Sequence, residues 1–428
     1  MGQDGRNVFT QNNTSADQAL ARASNNGKVP HTWGLILILF AALCICFIDR
    51  GNLGVAAPVL TFDLHLSSWQ LGLLLSGFYW TYSVCQIGSG WVVDRFDVRW
   101  IYVVIFSIWC VATFGMSLAN SFVALLSMRL LLGVGESAAY PVNSRILATS
   151  FSEKHRGLAN AVVDLGARIG PAIGTFFGGL VLAGIGWRGL FSVTGAVALF
   201  WLIPWLLYGP RSSRPATAGS HRKRVGWRQL LSQPAVWGTI GGLCGANYAW
   251  YFILSWLPIY LVKGRHMSLH AMAIWGSFPY IVIAASAVIS AHTADRLISR
   301  GRSPVAVRKR FLAFGLTGTA VCLPLVLVSN FGCAMLGLLI GCVLFGVYVS
   351  NLFALTQSLA GPGAAASWTG LQNACGNFSG VLSAIVTGWL VSQAGGFKLP
   401  FFAASIACLV GASFFYWLVN DRAVQLTV

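Results

Sequence analysis

The stretch GSGWVVDRFDVR, Gly88–Arg99, has a counterpart in ISAHTADRLISRGR, Ile289–Arg302, and this pair of stretches decides the fold. Each copy ends a long apolar run, and the two Asp-Arg pairs lie 201 positions apart. Further matches at the same or a similar spacing join Ser76 to Ser277, Tyr79 to Tyr280, Pro58 to Pro258, Asn160 to Asn373 and Asp164 to Asn377. Matches in separate segments at a nearly constant offset indicate an internal repeat. The two halves of the chain are therefore related and run in the same direction.

The composition is that of a membrane protein. Of the 428 residues, 56% are hydrophobic and 9% are charged, whereas a soluble domain carries about a quarter of its residues as charges. Apolar runs that reach the roughly 20 residues needed to cross a bilayer recur along the chain. Backbone groups in hydrocarbon must be hydrogen-bonded within their own segment, which favours helices. The sequence predicts an all-α polytopic membrane protein.

The apolar runs predict twelve transmembrane helices, six in each half. The predicted spans are residues 33–60, 69–93, 100–119, 120–148, 156–183, 188–208, 234–262, 268–297, 309–329, 331–359, 366–394 and 399–420. The corresponding domains are a disordered cytoplasmic tail (1–32), an N-terminal six-helix bundle (33–208), a cytoplasmic linker (209–233), a C-terminal six-helix bundle (234–420) and a cytoplasmic tail (421–428).

The net charge is +17, and the basic residues are distributed along the chain as membrane topology predicts, not as a nucleic-acid-binding surface would require. With the N-terminus inside, most Lys and Arg residues fall in the inner segments, and the outer loops hold Arg188, Lys263, Arg265 and Lys398. This positive-inside bias predicts that both termini are cytoplasmic in the inner (plasma) membrane. Basic loops beside an anionic leaflet need no partner other than the bilayer.

Several other classes of function find no support. The ten cysteines fall in or at the ends of predicted spans, which is typical of packing residues and not of a disulfide framework. The seven histidines lack metal-ligand spacing, and no nucleophile–base pair or phosphate loop is found. We expect no metal, no cofactor, no nucleic acid and no enzymatic activity, and we expect a monomer.

Parallel six-span halves with a site at their interface are the architecture of one class of secondary transporter. The stretch GWVVDRFDVR resembles the signature that follows span two in the major facilitator superfamily, except that Asp97 stands where the family usually has glycine. The resemblance implies that Asp94 docks on a neighbouring helix terminus and holds one side closed. The predicted gating residues of the two copies are Gly90, Asp94, Arg95, Arg99, Asp295 and Arg296.

Apart from those at the helix ends, charged residues inside the predicted spans are confined to the first half. They are Asp49, Arg50, Arg129, Glu136, Arg145, Asp164 and Arg168. A charge at mid-bilayer costs about 2.5–3.5 kcal/mol on insertion scales, so such residues normally face a cavity and pair with one another. Arg129 and Glu136 are two helical turns apart and share a face, whereas Asp164 and Arg168 are four apart and can pair directly.

The second half offers neutral polar side chains instead. We expect it to contribute hydrogen bonds to substrate from Tyr248, Tyr280, Asn351, Gln372, Asn373 and Asn377. The sequence thus predicts a division in which the first half handles charge and protons.

Three motifs make the resemblance more specific: DRGNLGVAAP from Asp49, RLLLGVGESAAYP from Arg129 and GLQNACGNFSG from Gly370. They are similar to the anion:cation symporter branch, which includes bacterial galactonate, glucarate and hexuronate proton symporters, sialin and the vesicular glutamate transporters. The resemblance covers the chain from about residue 33.

Residue by residue, the resemblance implies that Arg50 binds the substrate carboxylate with Tyr79 beside it, and that Arg129 is a second essential arginine. It implies that Asp49 and Glu136 carry the coupled proton. Asp164 and Arg168 fall where the family places span-five substrate contacts, although an acid-base pair departs from the neutral residue expected there.

The chemistry agrees with these roles, because arginine stays charged and grips a carboxylate through two parallel hydrogen bonds. The expected function is proton-coupled symport of a small organic anion, such as an aldonate, aldarate or hexuronate, by alternating access. An organic-anion or organophosphate exchanger and a transporter-like anion sensor remain as alternatives. Because adjacent side chains on a helix diverge by about 100°, we expect Arg50 to face the central cavity and Asp49 to point towards Arg129.

Overall fold

The computed structural model describes residues 29–151, 153–210 and 227–420, and this part of the chain is helical with no strand. Residues 1–28, most of the predicted linker and the predicted tail 421–428 lie outside it. The α-helices are α1 (Val29–Asp63), α2 (Ser68–Arg95), α3 (Val98–Leu118), α4 (Phe122–Glu136), α5 (Ala139–Ser150), α6 (Glu153–Leu199), α7 (Leu202–Tyr208), α8 (Trp227–Leu231), α9 (Pro234–Ile259), α10 (Leu269–Ser299), α11 (Pro304–Cys322), α12 (Phe331–Val349), α13 (Leu352–Ala394) and α14 (Lys398–Leu418).

These helices account for the twelve predicted crossings. Nine stretches of the described residues are long and apolar enough to cross a bilayer. One of them, Ala159–Tyr208, contains the fifth and sixth predicted spans, which are separated at Gly186, where φ is 73°. The helices α2 and α9 are not among the nine, although they are 28 and 26 residues long. Both are rich in Gly, Trp and Tyr, which lowers their mean hydropathy, and both lie between the two halves.

The internal repeat is preserved in backbone geometry. His65 and His266, 201 positions apart, both adopt a positive φ, of 50° and 56°, a conformation that is uncommon for residues other than glycine. Two residues further on, Ser67 and Ser268 are the N-caps of α2 and α10, and each side chain accepts a hydrogen bond from the third residue after it. The two halves therefore share backbone angles and helix caps at positions that were not among the sequence matches.

The first half packs mainly through the pairs α1–α6, α2–α4, α3–α4 and α3–α6, and the second through α9–α13, α9–α14, α11–α12 and α10–α12. The two halves meet through α2–α13, α6–α10 and α1–α9. We call the end of the molecule that holds residues 96–97, 209–210, 232–233 and 300–303 the linker side. The distal side is the end that holds residues 64–67, 119–121, 265–268, 328–330 and 395–397.

Glycines bring the halves together on the distal side. A Cβ atom added at Gly54 would lie 2.6 Å from the carbonyl oxygen of Ser255, and one at Gly72 would lie 2.8 Å from that of Ala384. In the same region, Lys263 donates a hydrogen bond of 2.6 Å to Thr61. Two close backbone approaches and one side-chain hydrogen bond thus join the halves, so the distal side is closed.

The halves separate towards the linker side. Along the α2–α13 interface, Asn377 donates a hydrogen bond of 3.2 Å to Gln86. One turn further on, a Cβ atom at Gly90 would meet no heavy atom of the described residues within 4 Å, and neither would one at Gly370, two turns before Asn377. The space between the halves therefore opens towards the linker side.

Candidate functional site

An ion pair between α1 and α4 is at the centre of the first half. The Nε atom of Arg50 lies 2.7 Å from Oε2 of Glu136, and the two side chains are 2% and 0% exposed. The thiol of Cys46 donates a second hydrogen bond of 2.9 Å to the same carboxylate oxygen. The cysteines were expected to be packing residues. No sequence signal identified Cys46, because its contact depends on how α1 is rotated against α4.

Aromatic rings surround the Arg50 guanidinium. Its Cζ atom lies 4.6 Å from the ring centre of Phe47, 4.9 Å from that of Phe78 and 4.5 Å from that of Tyr82. A cation over an aromatic face is stabilised by the ring quadrupole, and more so when water is excluded. In this conformation Arg50 is thus enclosed and paired. It was expected to face the central cavity and does not do so here.

Asp49 is bound by neutral donors. Trp109 of α3 donates from Nε1 to its Oδ2 atom over 2.8 Å, and Asn52 donates to its Oδ1 atom over 3.2 Å. Asp49 was expected to point towards Arg129; its direct hydrogen-bond partners are an indole and an amide. The two carboxylates of the site are held by different kinds of group, one by a cation and the other by dipoles.

Arg129 is buried without a matching acid of its own. Its side chain is 1% exposed, its Cζ atom lies 5.3 Å from the ring centre of Phe78, and its Nε and Nη1 atoms have no hydrogen-bond partner among the described residues. We call Asp49, Arg50, Arg129 and Glu136 the central charge cluster. With both acids deprotonated, its four formal charges sum to zero.

Two glycines of α4 allow this arrangement. A Cβ atom at Gly133 would overlap the backbone and side chains of α2 near Phe78, and one at Gly135 would lie 2.8 Å from the backbone nitrogen of Trp109. Their absence of side chains lets α2 and α3 approach α4 closely. This approach brings the Trp109 indole within reach of Asp49.

Tyr79 connects the cluster to the second half. Its ring centre lies 4.5 Å from that of Tyr251 of α9, and Gly380 of α13 packs against its face. The hydroxyl of Tyr251 donates to Oδ1 of Asn377 over 2.7 Å, and Asn377 in turn donates to Gln86 of α2. A continuous set of contacts thus crosses from α2 to α9 and α13. Gln86 did not stand out in the sequence because it is a single amide in a long helix.

Asp164 and Arg168 form the predicted pair. Their closest atoms are 3.9 Å apart, and the side chains are 51% and 20% exposed. Tyr140 donates to Asp164 over 3.5 Å, while the Cζ atom of Arg168 lies 5.5 Å from the ring centre of Trp250 in the second half. The pair therefore borders the space between the halves, and Arg168 contacts both of them.

Most hydrogen bonds of the other polar residues of the second half are within that half. Asn351 donates to Ser290 over 3.2 Å, and Gln372 accepts from Thr356 over 2.8 Å and donates to the carbonyl of Thr239. The hydroxyl of Tyr280 donates to the carbonyl of Ile253 over 3.3 Å, the carbonyl of Asn373 accepts from Asn377, and the carbonyl of Tyr248 accepts from Ser383. The structure brings Asn377 into the cross-half contacts but leaves Asn351 and Gln372 in helix packing.

The gating motif has a different local role in each copy. The side chain of Asp97 accepts from the backbone nitrogen of Arg99 over 2.9 Å and caps α3, which explains how an acid is accommodated where a turn glycine is usual. Arg99 donates to the carbonyl of Leu206. The side chain of Asp94 lies outside the described residues. The Cζ atom of Arg95 lies 5.2 Å from the ring centre of Trp91.

In the second copy, Asp295 pairs with Arg308 of the same half at 3.4 Å. The neighbouring Arg296 lies in the last turn of α10, where its carbonyl accepts from the nitrogen of Arg300. The gating role of both copies stays a prediction.

A membrane protein with two related six-helix halves and a buried charge cluster, linked through Tyr79 to the other half, has the architecture of a secondary transporter. The chain belongs to the Major Facilitator Superfamily, whose family model matches residues 39–384. It is a transporter of this superfamily and not an enzyme.

Curated relatives agree with the resemblance to organic-anion transporters. The chain is 29% identical to the probable sulfoacetate transporter SauU of Cupriavidus necator over 387 residues, 86% of this chain and 89% of that one. It is 25% identical to the D-galactonate transporter of Escherichia coli over 418 residues, 90% and 95% of the two chains. It is 25% identical to the probable galactarate/D-glucarate transporter GarP of Escherichia coli over 430 residues, 92% and 96%.

A solved structure confirms the fold. A bacterial homologue of the human lysosomal transporter Spinster, in an inward-facing and unoccupied conformation, superposes with a TM-score of 0.79. The sequences are 19% identical, and the match covers 93% of this chain and 100% of that one.

Proposed function

We propose that the protein carries a small organic anion, of the sugar-acid class, across the inner membrane together with protons. The observation that carries this proposal is the buried Arg50–Glu136 ion pair beside Arg129, a buried cation with unpartnered nitrogens. The relatives that move sulfoacetate, galactonate and galactarate or glucarate support the choice of substrate class.

The geometry suggests how substrate and proton would be coupled. A substrate carboxylate that binds Arg50 competes with Glu136 for the same guanidinium. A carboxylate that loses its cation in a buried site is strongly disfavoured in its charged form, so Glu136 takes up a proton. Substrate binding and proton binding then depend on each other through Arg50.

Asp49 supplies a second protonation site. Its partners Trp109 and Asn52 are neutral donors, so its proton uptake does not require Arg50 to move. An anion that accumulates against a negative-inside potential must move with positive charge, at about 2.3 kcal/mol per charge per 100 mV. Two acids allow more than one proton per substrate.

Alternating access follows from the contacts between the halves. We infer from the positive-inside bias that the linker side is cytoplasmic; the described conformation is then open to the cytoplasm and closed on the distal side. Rocking of the halves about the Gln86–Asn377 contact closes the linker side and opens the distal side.

The test uses the purified full-length protein. A thermal-shift screen against sulfoacetate, galactonate, glucarate, glucuronate, a sugar phosphate and neutral galactose identifies the ligand, because a ligand that binds the folded state raises its melting temperature. The ligand found is then used in proteoliposomes with an imposed inward proton gradient. We expect stabilisation by a carboxylate or sulfonate and gradient-driven uptake. Stabilisation by galactose alone, or uptake that ignores the gradient, would contradict the proposal.

A further inference from the structure

A deep groove on the outer surface of the second half lies away from the central charge cluster. It has a volume of about 630 Å³ and runs between α10, α11 and α12. Its lining includes Ala285, Ser286, Ser290, Arg310, Phe314 and Val343. From Val282 to Thr293 it follows three turns of α10, or about 17 Å at 1.5 Å per residue.

The interior of this α10–α12 groove is apolar. The hydroxyl of Ser286 donates to the carbonyl of Val343 over 2.6 Å, and that of Ser290 donates to the carbonyl of Val347 over 3.3 Å. Both hydroxyls are thus bonded within the wall. Ile289 and Phe314 are 68% and 63% exposed. The three helices are candidate membrane spans, so hydrocarbon chains are the surrounding solvent of the groove.

One cation lines the groove. Arg310 lies six residues after the start of α11, close to the linker side, and its side chain is exposed. It has no hydrogen bond or ion pair with any other described residue. Its neighbour Arg308, by contrast, is paired with Asp295. The groove therefore combines an apolar channel with an available guanidinium at the depth where lipid head groups lie.

We propose that the α10–α12 groove binds one anionic phospholipid. One acyl chain lies along α10 between Phe314 and Val343, and the phosphate accepts hydrogen bonds from Arg310. Guanidinium groups bind phosphate oxygens through paired hydrogen bonds, and basic pockets between membrane helices on the cytoplasmic side recognise anionic head groups. A zwitterionic lipid carries its own cation beside the phosphate, which weakens the attraction to Arg310.

Native mass spectrometry of the delipidated full-length protein tests this assignment. The protein is titrated with phosphatidylglycerol and, separately, with phosphatidylcholine of the same acyl chains. We expect the first phosphatidylglycerol to bind at least threefold more tightly than phosphatidylcholine. In the Arg310→Gln variant this preference should disappear, whereas Arg302→Gln, which removes an exposed arginine outside the groove, should keep it.

The apolar part of the site is tested separately. Ala285→Phe places a ring in the groove and should weaken the first binding event for both lipids, without altering the melting temperature by more than a few degrees. Equal binding of the two lipids by the unmodified protein would overturn the proposal. An equal loss of preference in Arg302→Gln and Arg310→Gln would also overturn it, because the effect would then be one of net charge. Transport is not part of either readout, so failure of the lipid site leaves the proposed function unaffected.

Discussion

Arg50 of α1 and Glu136 of α4 are joined by an ion pair of 2.7 Å in which both side chains are fully buried. A buried pair of this kind is strongly destabilised when one partner is removed, because the other is left charged without water. The pair is therefore suited to a protein that must exchange one partner for another during each cycle.

Replacing Glu136 by Gln should abolish accumulation driven by the proton gradient. The amide still accepts a hydrogen bond from Arg50 but cannot carry a proton. Loss of one coupled positive charge lowers the attainable accumulation about fiftyfold at 100 mV. The measurement is uptake into proteoliposomes with an imposed potential and pH gradient. Exchange of internal for external substrate in the same variant is the control and should continue; full accumulation would refute the role of Glu136.

Removing Arg50 alone should destabilise the protein, whereas removing the pair should not. Arg50→Gln leaves the buried Glu136 without its cation, a change that costs about 3–5 kcal/mol in comparable buried pairs. The double variant Arg50→Gln with Glu136→Gln removes both charges and should recover most of the loss. Comparing the melting temperatures of the two single variants and the double variant shows how strongly the stability effects of the two side chains depend on each other. Additive losses would show that the two side chains are independent.

Replacing Arg50 by Lys should weaken substrate binding even though the positive charge is kept. Arg50→Lys keeps the charge but loses the two parallel N–H groups that match a carboxylate, so we expect it to lose ligand-dependent thermal stabilisation. The same measurement on Arg310→Lys, outside the central cluster, serves as the matched control and should match the unmodified protein. Unchanged ligand stabilisation in Arg50→Lys would exclude direct contact with the substrate.

Cys46 should set the pH range of uptake. Its thiol donates to the Glu136 carboxylate, and a hydrogen bond to the charged form of an acid favours that form. Cys46→Val removes the donor from the carboxylate, so the pH of half-maximal uptake should shift. Cys46→Ser keeps a donor and should leave the profile close to its original position. Cys342→Val, an equally buried cysteine in the second half, should not shift it; an equal shift there would mark the effect as unspecific.

A larger side chain at Gly54 should hinder closure of the distal side. The added Cβ of Gly54→Val would lie 2.6 Å from the carbonyl oxygen of Ser255 and force α1 away from α9. We expect slower exchange and greater accessibility of distal positions to a membrane-impermeant thiol reagent. Gly34→Val, on the same helix with no heavy atom within 4 Å of its Cβ position, is the control and should behave normally. Equal accessibility in the two variants would contradict the assigned closure.

The sequence was sufficient for features that depend on composition and repetition. Apolar runs predicted the helices, the matching Asp-Arg pairs predicted related halves, and intramembrane charges predicted the members of the central cluster. The pairing within the cluster was not predictable. Which of Asp49 and Arg50 meets Glu136 depends on the rotation of α1 about its axis, and that rotation is fixed by close contacts such as those of Gly133 and Gly135.

Contacts between the halves were harder still to foresee. The hydrogen bond between Gln86 and Asn377 joins residues that are 291 positions apart, and neither amide differs from an ordinary packing residue in its own helix. Pro58 and Pro258 marked equivalent turns of the repeat, but the equivalent residues His65 and His266 became evident only through their backbone angles.

The glycines on the distal side have a consequence for the energetics of opening. Contacts between backbones are made of many van der Waals terms, each about 0.1–0.2 kcal/mol, so they are lost gradually as the halves tilt apart. A gate held mainly by ion pairs would instead release in one large step and would respond to salt. In this protein the strong electrostatic terms are concentrated within the first half, which acts as the responsive body. Apart from Lys263, the second half meets it through neutral side chains and backbone.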